Sequence, residues 1–112
     1  MKKIFLTCAE KGAGAHLEFM YSFLSEENNL FVPIGKDAIF FKEYLKYLNP
    51  TQTSDGGKIF DGCGYNYYTK EQAETMYHKI KSDKPKDFQI LIKWLEKFIY
   101  ESNEKGFYIN GF

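Results

Sequence analysis

The pattern that most constrains the fold is an apolar stripe at helical spacing between residues 88 and 99. Its members recur every three or four residues, as the buried face of an α-helix requires: Phe88, Leu91, Ile92, Leu95, Phe98 and Ile99. Ile90 and Trp94 widen the apolar arc, so we predict that this helix lies near the centre of the fold. Pro85 suits its first turn, and Gly106 is its predicted C-cap.

Three more helices are predicted from the same periodicity. The first begins at Ala15, and its stripe is Leu17, Met20, Tyr21 and Leu24, flanked by Phe19 and Phe23. The second is capped by Asp37 and runs to Leu48, and its inner face is Phe41, Tyr44, Leu45 and Leu48. The third follows Thr69 as N-cap, and its inner face is Ala73, Met76, Tyr77 and Ile80.

Short strands are predicted between these helices. The candidates are residues 2–8, residues 30–34 with an end or sheet edge at Pro33, a hairpin or ordered loop over 58–68, and residues 107–109. The 112 residues suit a single domain spanning 1–112. We therefore predict an α+β domain with about four helices packed on a small sheet of three to five short strands.

Aromatic residues are unusually frequent, with 11 Phe, 9 Tyr and 1 Trp in the chain. This is more than one small core needs, and the surplus indicates a surface built to bind something. The formal net charge is zero, and every basic residue is Lys. Because Arg is the usual reader of guanine edges and clamp for phosphates, its absence argues against nucleic acid as a partner.

The candidate binding segment is residues 55–68, which is rich in Gly, Tyr, Asp and Asn as antibody paratopes are. The predicted partner-binding residues are Tyr65, Tyr67 and Tyr68 as anchors, with Asp55, Lys58 and Asp61 as polar contacts. The alternative is a hairpin whose side chains alternate. Tyr65 and Tyr67 then share one face, while Asn66 and Tyr68 lie on the other.

A second hypothesis is a small-ligand or nucleotide site at the glycine turn 12–16. A helix N-terminus after such a turn can hold a phosphate on its backbone N–H groups. The dinucleotide fingerprint requires a third glycine where this chain has Leu17, so the motif is incomplete.

A third hypothesis is a cysteine-dependent enzyme. Cys63 would be the nucleophile, and His16 or His78 would be its base. Cys8 is interpreted as a buried strand residue. The two cysteines and two histidines lack the spacing of zinc ligands, so we expect no metal or other cofactor.

The amino-terminal apolar run is too short for an export signal, and no window is long enough to cross a membrane. We therefore expect a cytoplasmic chain with reduced thiols and no membrane contact. Small size, the aromatic surplus and the paratope-like segment favour a non-enzymatic protein-binding module. Within that class we expect an immunity or inhibitor protein that occludes the active site of a toxin or another enzyme.

Overall fold

The computed structural model describes residues 3–21 and 26–112. Within these residues the chain forms a six-stranded antiparallel sheet and three α-helices. The strands are β1 (Leu6–Thr7), β2 (His16–Met20), β3 (Leu30–Pro33), β4 (Gln52–Thr53), β5 (Tyr65–Thr69) and β6 (Gly106–Asn110). The helices are α1 (Asp37–Leu48), α2 (Lys70–Asp83) and α3 (Phe88–Glu101). The α+β class is confirmed, although there is one strand more and one helix fewer than the predicted numbers.

The missing helix is the one predicted from Ala15, because His16–Met20 forms strand β2 instead. Leu17 and Phe19 are fully buried, while His16 and Glu18 point to the opposite face and are half-buried. β2 pairs with β3 on one side and with β6 on the other. This pairing outweighs the local helical spacing. Phe23 and Leu24 of the predicted helix, and Lys2 of the first predicted strand, lie outside the described residues.

The order of strands across the sheet is β1-β3-β2-β6-β5-β4. β6 therefore lies in the middle of the sheet, between β2 and β5. Tyr108 of β6 faces Met20 of β2 on one side and Tyr67 of β5 on the other. β3 ends at Pro33, as predicted, because proline has no N–H to donate to a further ladder bond.

The helices cover one face of the sheet, which we call the inner face. The ring of Phe19 in β2 packs edge-on against Phe40 of α1 at 6.0 Å and against Trp94 of α3 at 5.7 Å. Phe107 of β6 contacts the same Trp94 ring at 5.2 Å, and α2 packs beside α3. Each buried ring of this size contributes about 1.5–3 kcal/mol of hydrophobic stabilisation. As predicted, the apolar arc of α3 lies in the centre of the core.

Helix α1 ends at Leu48, as predicted, but it begins one residue earlier than a helix capped by Asp37 and has a different inner face. Its buried residues are Phe40, Tyr44, Tyr47 and Leu48, whereas Phe41 is half-buried and Leu45 is 40% exposed. The inner face is therefore rotated by about one residue from the prediction. The Asp37 side chain does not cap the helix. It accepts a hydrogen bond from the Gly35 N–H at 3.0 Å, and Lys36 occupies the N-cap position.

The end of β5 and the start of α2 are joined by a capping box. The Thr69 hydroxyl accepts the Gln72 N–H at 3.1 Å, and the Gln72 side chain accepts the Thr69 N–H at 2.9 Å. The predicted N-cap is confirmed. The predicted C-cap at Gly106 is wrong, because α3 ends at Glu101 with Ser102 as its C-cap, and Gly106 opens strand β6.

The amino-terminal segment is tied to the turn between α2 and α3. Asp87 has a left-handed backbone with a φ of 57°, and its carboxylate accepts the N–H groups of Ile4 and Phe5 at 2.9 and 3.1 Å. Neither Ile4 nor Phe5 is exposed.

No helix in the described part of the chain has the length and apolar composition needed to cross a membrane.

Candidate partner-binding surface

The side chains of β5 alternate between the two faces of the sheet. Tyr65 is 55% exposed and Tyr67 is half-buried, whereas Asn66 is fully buried and Tyr68 is only 1% exposed. This is the alternating arrangement that the sequence offered for the segment. It places Tyr65 and Tyr67 on the side of the sheet opposite the helices, which we call the outer face.

Tyr68 belongs to the core, so the exposure that an anchoring role requires is absent and the prediction is wrong for this residue. Its ring stacks on Phe107 at 5.0 Å, and its hydroxyl donates to the Leu48 carbonyl at 2.8 Å. Burial raises the pKa of the Tyr68 phenol. Tyr68 is buried because the side chains of a strand alternate between its two faces. Tyr67 and Tyr68 therefore cannot both lie on the exposed face.

Three tyrosines, Tyr65, Tyr67 and Tyr108, lie on adjacent strands of the outer face, and we call them the tyrosine face. The rings of Tyr67 and Tyr108 pack against each other with centroids 5.0 Å apart. The Tyr67 ring lies across Gly106, where a Cβ would collide with the Tyr67 hydroxyl and with the Tyr68 carbonyl. A glycine at this position is therefore a condition for the observed position of the Tyr67 ring.

The turn formed by residues 61–64 leads directly into Tyr65 and is held rigidly. The buried Asn66 amide accepts the Asp61 N–H at 2.7 Å and donates to the Asp61 carbonyl at 2.8 Å and the Ile109 carbonyl at 3.0 Å. The N–H groups of Gly111 and Phe112 donate to the carbonyls of Gly64 and Gly62, at 2.7 and 3.0 Å. The chain around Tyr65 is therefore fixed from both sides.

The two predicted aspartates use their carboxylates to close their own turns. Asp61 accepts the Cys63 N–H at 2.9 Å. Asp55 accepts the Gly57 N–H at 3.0 Å and a short hydrogen bond from the Thr53 hydroxyl. The hydroxyl bond is the main reason that the pKa of the Asp55 carboxyl lies below its usual value, and the Gly57 N–H adds to it.

The structure brings Asp55, Lys58 and Asp61 to one surface cleft of about 440 Å³. Ile59 lines the same cleft and is 76% exposed. The six predicted contact residues thus fall into three places. Three polar residues surround this cleft, Tyr65 and Tyr67 lie on the outer face, and Tyr68 lies in the core.

The residues of the cysteine-enzyme hypothesis lie in separate elements. Cys63 is exposed in the 61–64 turn, whereas His16 packs edge-on against Phe31 in the sheet and His78 is exposed on α2 beside Tyr77. Cys8 is half-buried after β1 rather than within a strand, and it donates to Glu26 at 3.7 Å. Among residues 3–21 and 26–112, no group of three His, Cys, Asp or Glu is placed to hold a metal ion.

The glycine turn of the nucleotide hypothesis leads into a strand. Residues 12–15 precede β2, so the helix N-terminus that was expected to present its N–H groups to a phosphate does not form there. The physical basis expected for that site is therefore absent.

Sequence reasoning did not identify two contributors to the tyrosine face, Tyr108 and Gly106. The alternation of Phe107, Tyr108 and Ile109 was a signal that Tyr108 faces away from the core. Its position beside Tyr67 depends on the register between β5 and β6, which are joined by two intervening helices.

Comparisons of the chain with protein-family models, with curated proteins and with solved structures found no match.

Proposed function

We propose that this chain is a non-enzymatic protein-binding module and that the tyrosine face is its contact surface. The observation that carries the proposal is the exposure of Tyr65 beside the packed Tyr67 and Tyr108 rings, on the sheet face opposite the helices. Tyrosine combines a large ring area with a polar hydroxyl and has few rotatable bonds, and it is enriched where binding energy concentrates.

The rigidity of this surface also supports binding. Strand pairing fixes the backbone of Tyr65 and Tyr67, and the Asn66 side chain fixes the turn before them. A surface that is already ordered loses little conformational entropy when a partner docks. Asp55, Lys58 and Asp61 add polar groups beside the exposed Ile59, and their cleft reaches the turn that leads into Tyr65 through Asp61.

Within this class, we propose an immunity or inhibitor protein that acts in the cytoplasm on a bacterial toxin or another enzyme. Occluding an active site requires a rigid surface that fits over it and no catalytic group. Cys8 and Cys63 are free thiols, which suits a reducing compartment. Because the formal net charge is zero, the rings rather than long-range charge would supply most of the affinity.

The first test is affinity capture from a lysate of the source organism with three baits. They are the wild type, the double variant Tyr65→Ala/Tyr67→Ala, and the control Tyr100→Ala. Tyr100 is 68% exposed on α3, so the control removes a ring of similar exposure from the helical side. A partner retained by the wild type and by the control, but lost by the double variant, supports the proposal. Retention of every partner by the folded double variant contradicts it.

The second test addresses inhibition. The captured partner is purified, and its activity is measured as the wild-type chain is titrated in. Stoichiometric loss of activity, with the titration midpoint raised at least about tenfold for the double variant, supports occlusion by the tyrosine face. A partner that binds at this face with unchanged activity contradicts the inhibitor role and leaves a binding module of another kind.

A further inference from the structure

A second cleft of about 440 Å³ has none of the three residues of the tyrosine face in its lining. Its walls are the end of α1 and the first turns of α2, and its floor includes the buried Tyr68. Clefts of 300–1,000 Å³ are the usual size of small-molecule sites, so this one is large enough for a small organic compound.

Hydrogen bonds tie the two walls together at both ends. The Tyr47 hydroxyl of α1 donates to the Asp83 carboxylate at the end of α2, at 2.7 Å. The Gln72 amide at the start of α2 donates to the Pro50 carbonyl just after α1, at 3.3 Å. The end of α1 therefore runs antiparallel to α2, and the cleft between them is already formed before a ligand binds.

The lining combines apolar and polar side chains. Tyr47, Pro50 and Met76 give it an apolar body, while Gln72 and Thr75 contribute polar groups. Tyr47 and Met76 are otherwise buried in the core, so their positions are set by packing. This mixture of a fixed apolar body and a few polar groups is typical of small-molecule sites.

Charge is distributed unequally along the cleft. Lys46 lies at the Asp83 end, with its ammonium 4.0 Å from that carboxylate, and Lys79 stands one helical turn before Asp83. Lys79 has no ion-pair partner among residues 3–21 and 26–112. Glu71 stands eight residues before Lys79 on the same helix, which places it about 12 Å away at the other end. The Asp83 end of the cleft therefore has two ammonium groups, Lys46 and Lys79, against the one carboxylate of Asp83, whereas the other end has the carboxylate of Glu71.

We propose that this cleft binds a small organic anion with an apolar body. The body lies against the exposed Pro50 and the edge of Tyr47 that reaches the cleft, and its carboxylate or phosphate group lies between the ammonium groups of Lys46 and Lys79. Glu71 repels an anion from the opposite end and so fixes the orientation of the ligand. The site shares no lining residue with the tyrosine face, and the proposal does not depend on the function proposed for that face.

The test is an amide NMR titration with three probes: indole-3-acetate, the neutral indole-3-acetamide and phenyl phosphate. We expect saturable shifts in residues 46–49 and 72–79, with indole-3-acetate binding about fivefold more tightly than its amide because it adds the charge contact. The phosphate arm shows whether the Asp83 end prefers a phosphate or a carboxylate. Absence of shifts in these residues with all three probes overturns the proposal, as does equal binding of the acid and the amide.

Variants assign the effect to the two lysines. Lys46→Gln/Lys79→Gln is expected to reduce the affinity for indole-3-acetate to that of the amide, and Lys93→Gln on α3 is the exposed control. All three substituted positions are exposed, and an unchanged amide spectrum outside the cleft verifies that each variant is folded. Equal weakening by the control, or no weakening by the double variant, overturns the assignment.

Discussion

Asn66 is hydrogen-bonded to the backbone of Asp61 in both directions, accepting its N–H at 2.7 Å and donating to its carbonyl at 2.8 Å. The side-chain amide of Asn66 thus takes the place of a backbone peptide group and pairs with Asp61 as a neighbouring strand would. Through this pairing, a fully buried polar residue fixes the turn that precedes the exposed Tyr65.

The variant Asn66→Ala is expected to lower the free energy of unfolding by about 2–4 kcal/mol. It leaves the Asp61 N–H and the Asp61 and Ile109 carbonyls without their partner. Urea denaturation followed by circular dichroism measures the loss. Asn103→Ala, at an exposed loop position, is the control and should change the value by less than about 0.5 kcal/mol. Equal effects of the two variants would show that the turn does not depend on Asn66.

The variant Gly106→Ala is expected to destabilise the chain by about 1–3 kcal/mol, because the new methyl group collides with the Tyr67 ring and with the Tyr68 carbonyl. Gly12→Ala is the matched control, since a Cβ there meets no atom within 4 Å. Thermal melts compare the two, and near-ultraviolet circular dichroism reports the displaced tyrosine. A neutral Gly106→Ala would contradict the close packing of Tyr67 on the outer face.

Removing the hydroxyl of Tyr68 is expected to lower the stability of the chain, whereas removing that of Tyr65 is not. Tyr68→Phe leaves the buried Leu48 carbonyl without its donor, and the expected cost is about 1–3 kcal/mol of stability. Tyr65→Phe removes an exposed hydroxyl and should leave stability within about 0.5 kcal/mol of the wild type. Denaturation curves of both variants provide the comparison. A larger loss of stability for Tyr65→Phe than for Tyr68→Phe would contradict the burial of Tyr68 and the exposure of Tyr65.

Alkali is expected to unfold the chain through its buried phenols. Burial, together with the hydrogen bond to Asp83, raises the pKa of Tyr47 to about 12, and burial also raises the pKa of Tyr44 and Tyr68. The unfolded chain ionises its tyrosines near pH 10, so their stabilising contribution is complete below pH 10 and is lost as the pH rises toward 12.

Absorbance at 295 nm and circular dichroism, followed together, check this expectation. The buried phenols of Tyr44, Tyr47 and Tyr68 should ionise only together with the loss of secondary structure. A titration in which all nine tyrosines ionise near pH 10 with the fold intact would contradict the burial of these rings.

The predictions that succeeded were those decided by neighbours in the chain. The end of α1 at Leu48 and the capping role of Thr69 follow from local rules of helix geometry. The alternation of Tyr65 and Tyr67 with Asn66 and Tyr68, which was the alternative to a surface made of all three tyrosines, follows from the period of a strand. The strand period alone is enough to separate the exposed Tyr65 and the half-buried Tyr67 from the buried Tyr68, provided that the segment is a strand.

The predictions that failed depended on distant parts of the chain. His16–Met20 satisfies both a helical and a two-residue period, and it becomes a strand because β6, about ninety residues later, pairs with it. For the same reason, the sequence could not place Tyr108 beside Tyr67 or the end of α1 beside the start of α2. The tyrosine face was therefore predicted in part, and the second cleft was not.

The central position of β6 has a consequence for synthesis. Until the ribosome has delivered residues 106–110, β2 and β5 lack the strand that joins them, and each presents an unpaired edge. The strands β1, β3 and β2 therefore become one sheet with β5 and β4 only when residues 106–110 have docked between them.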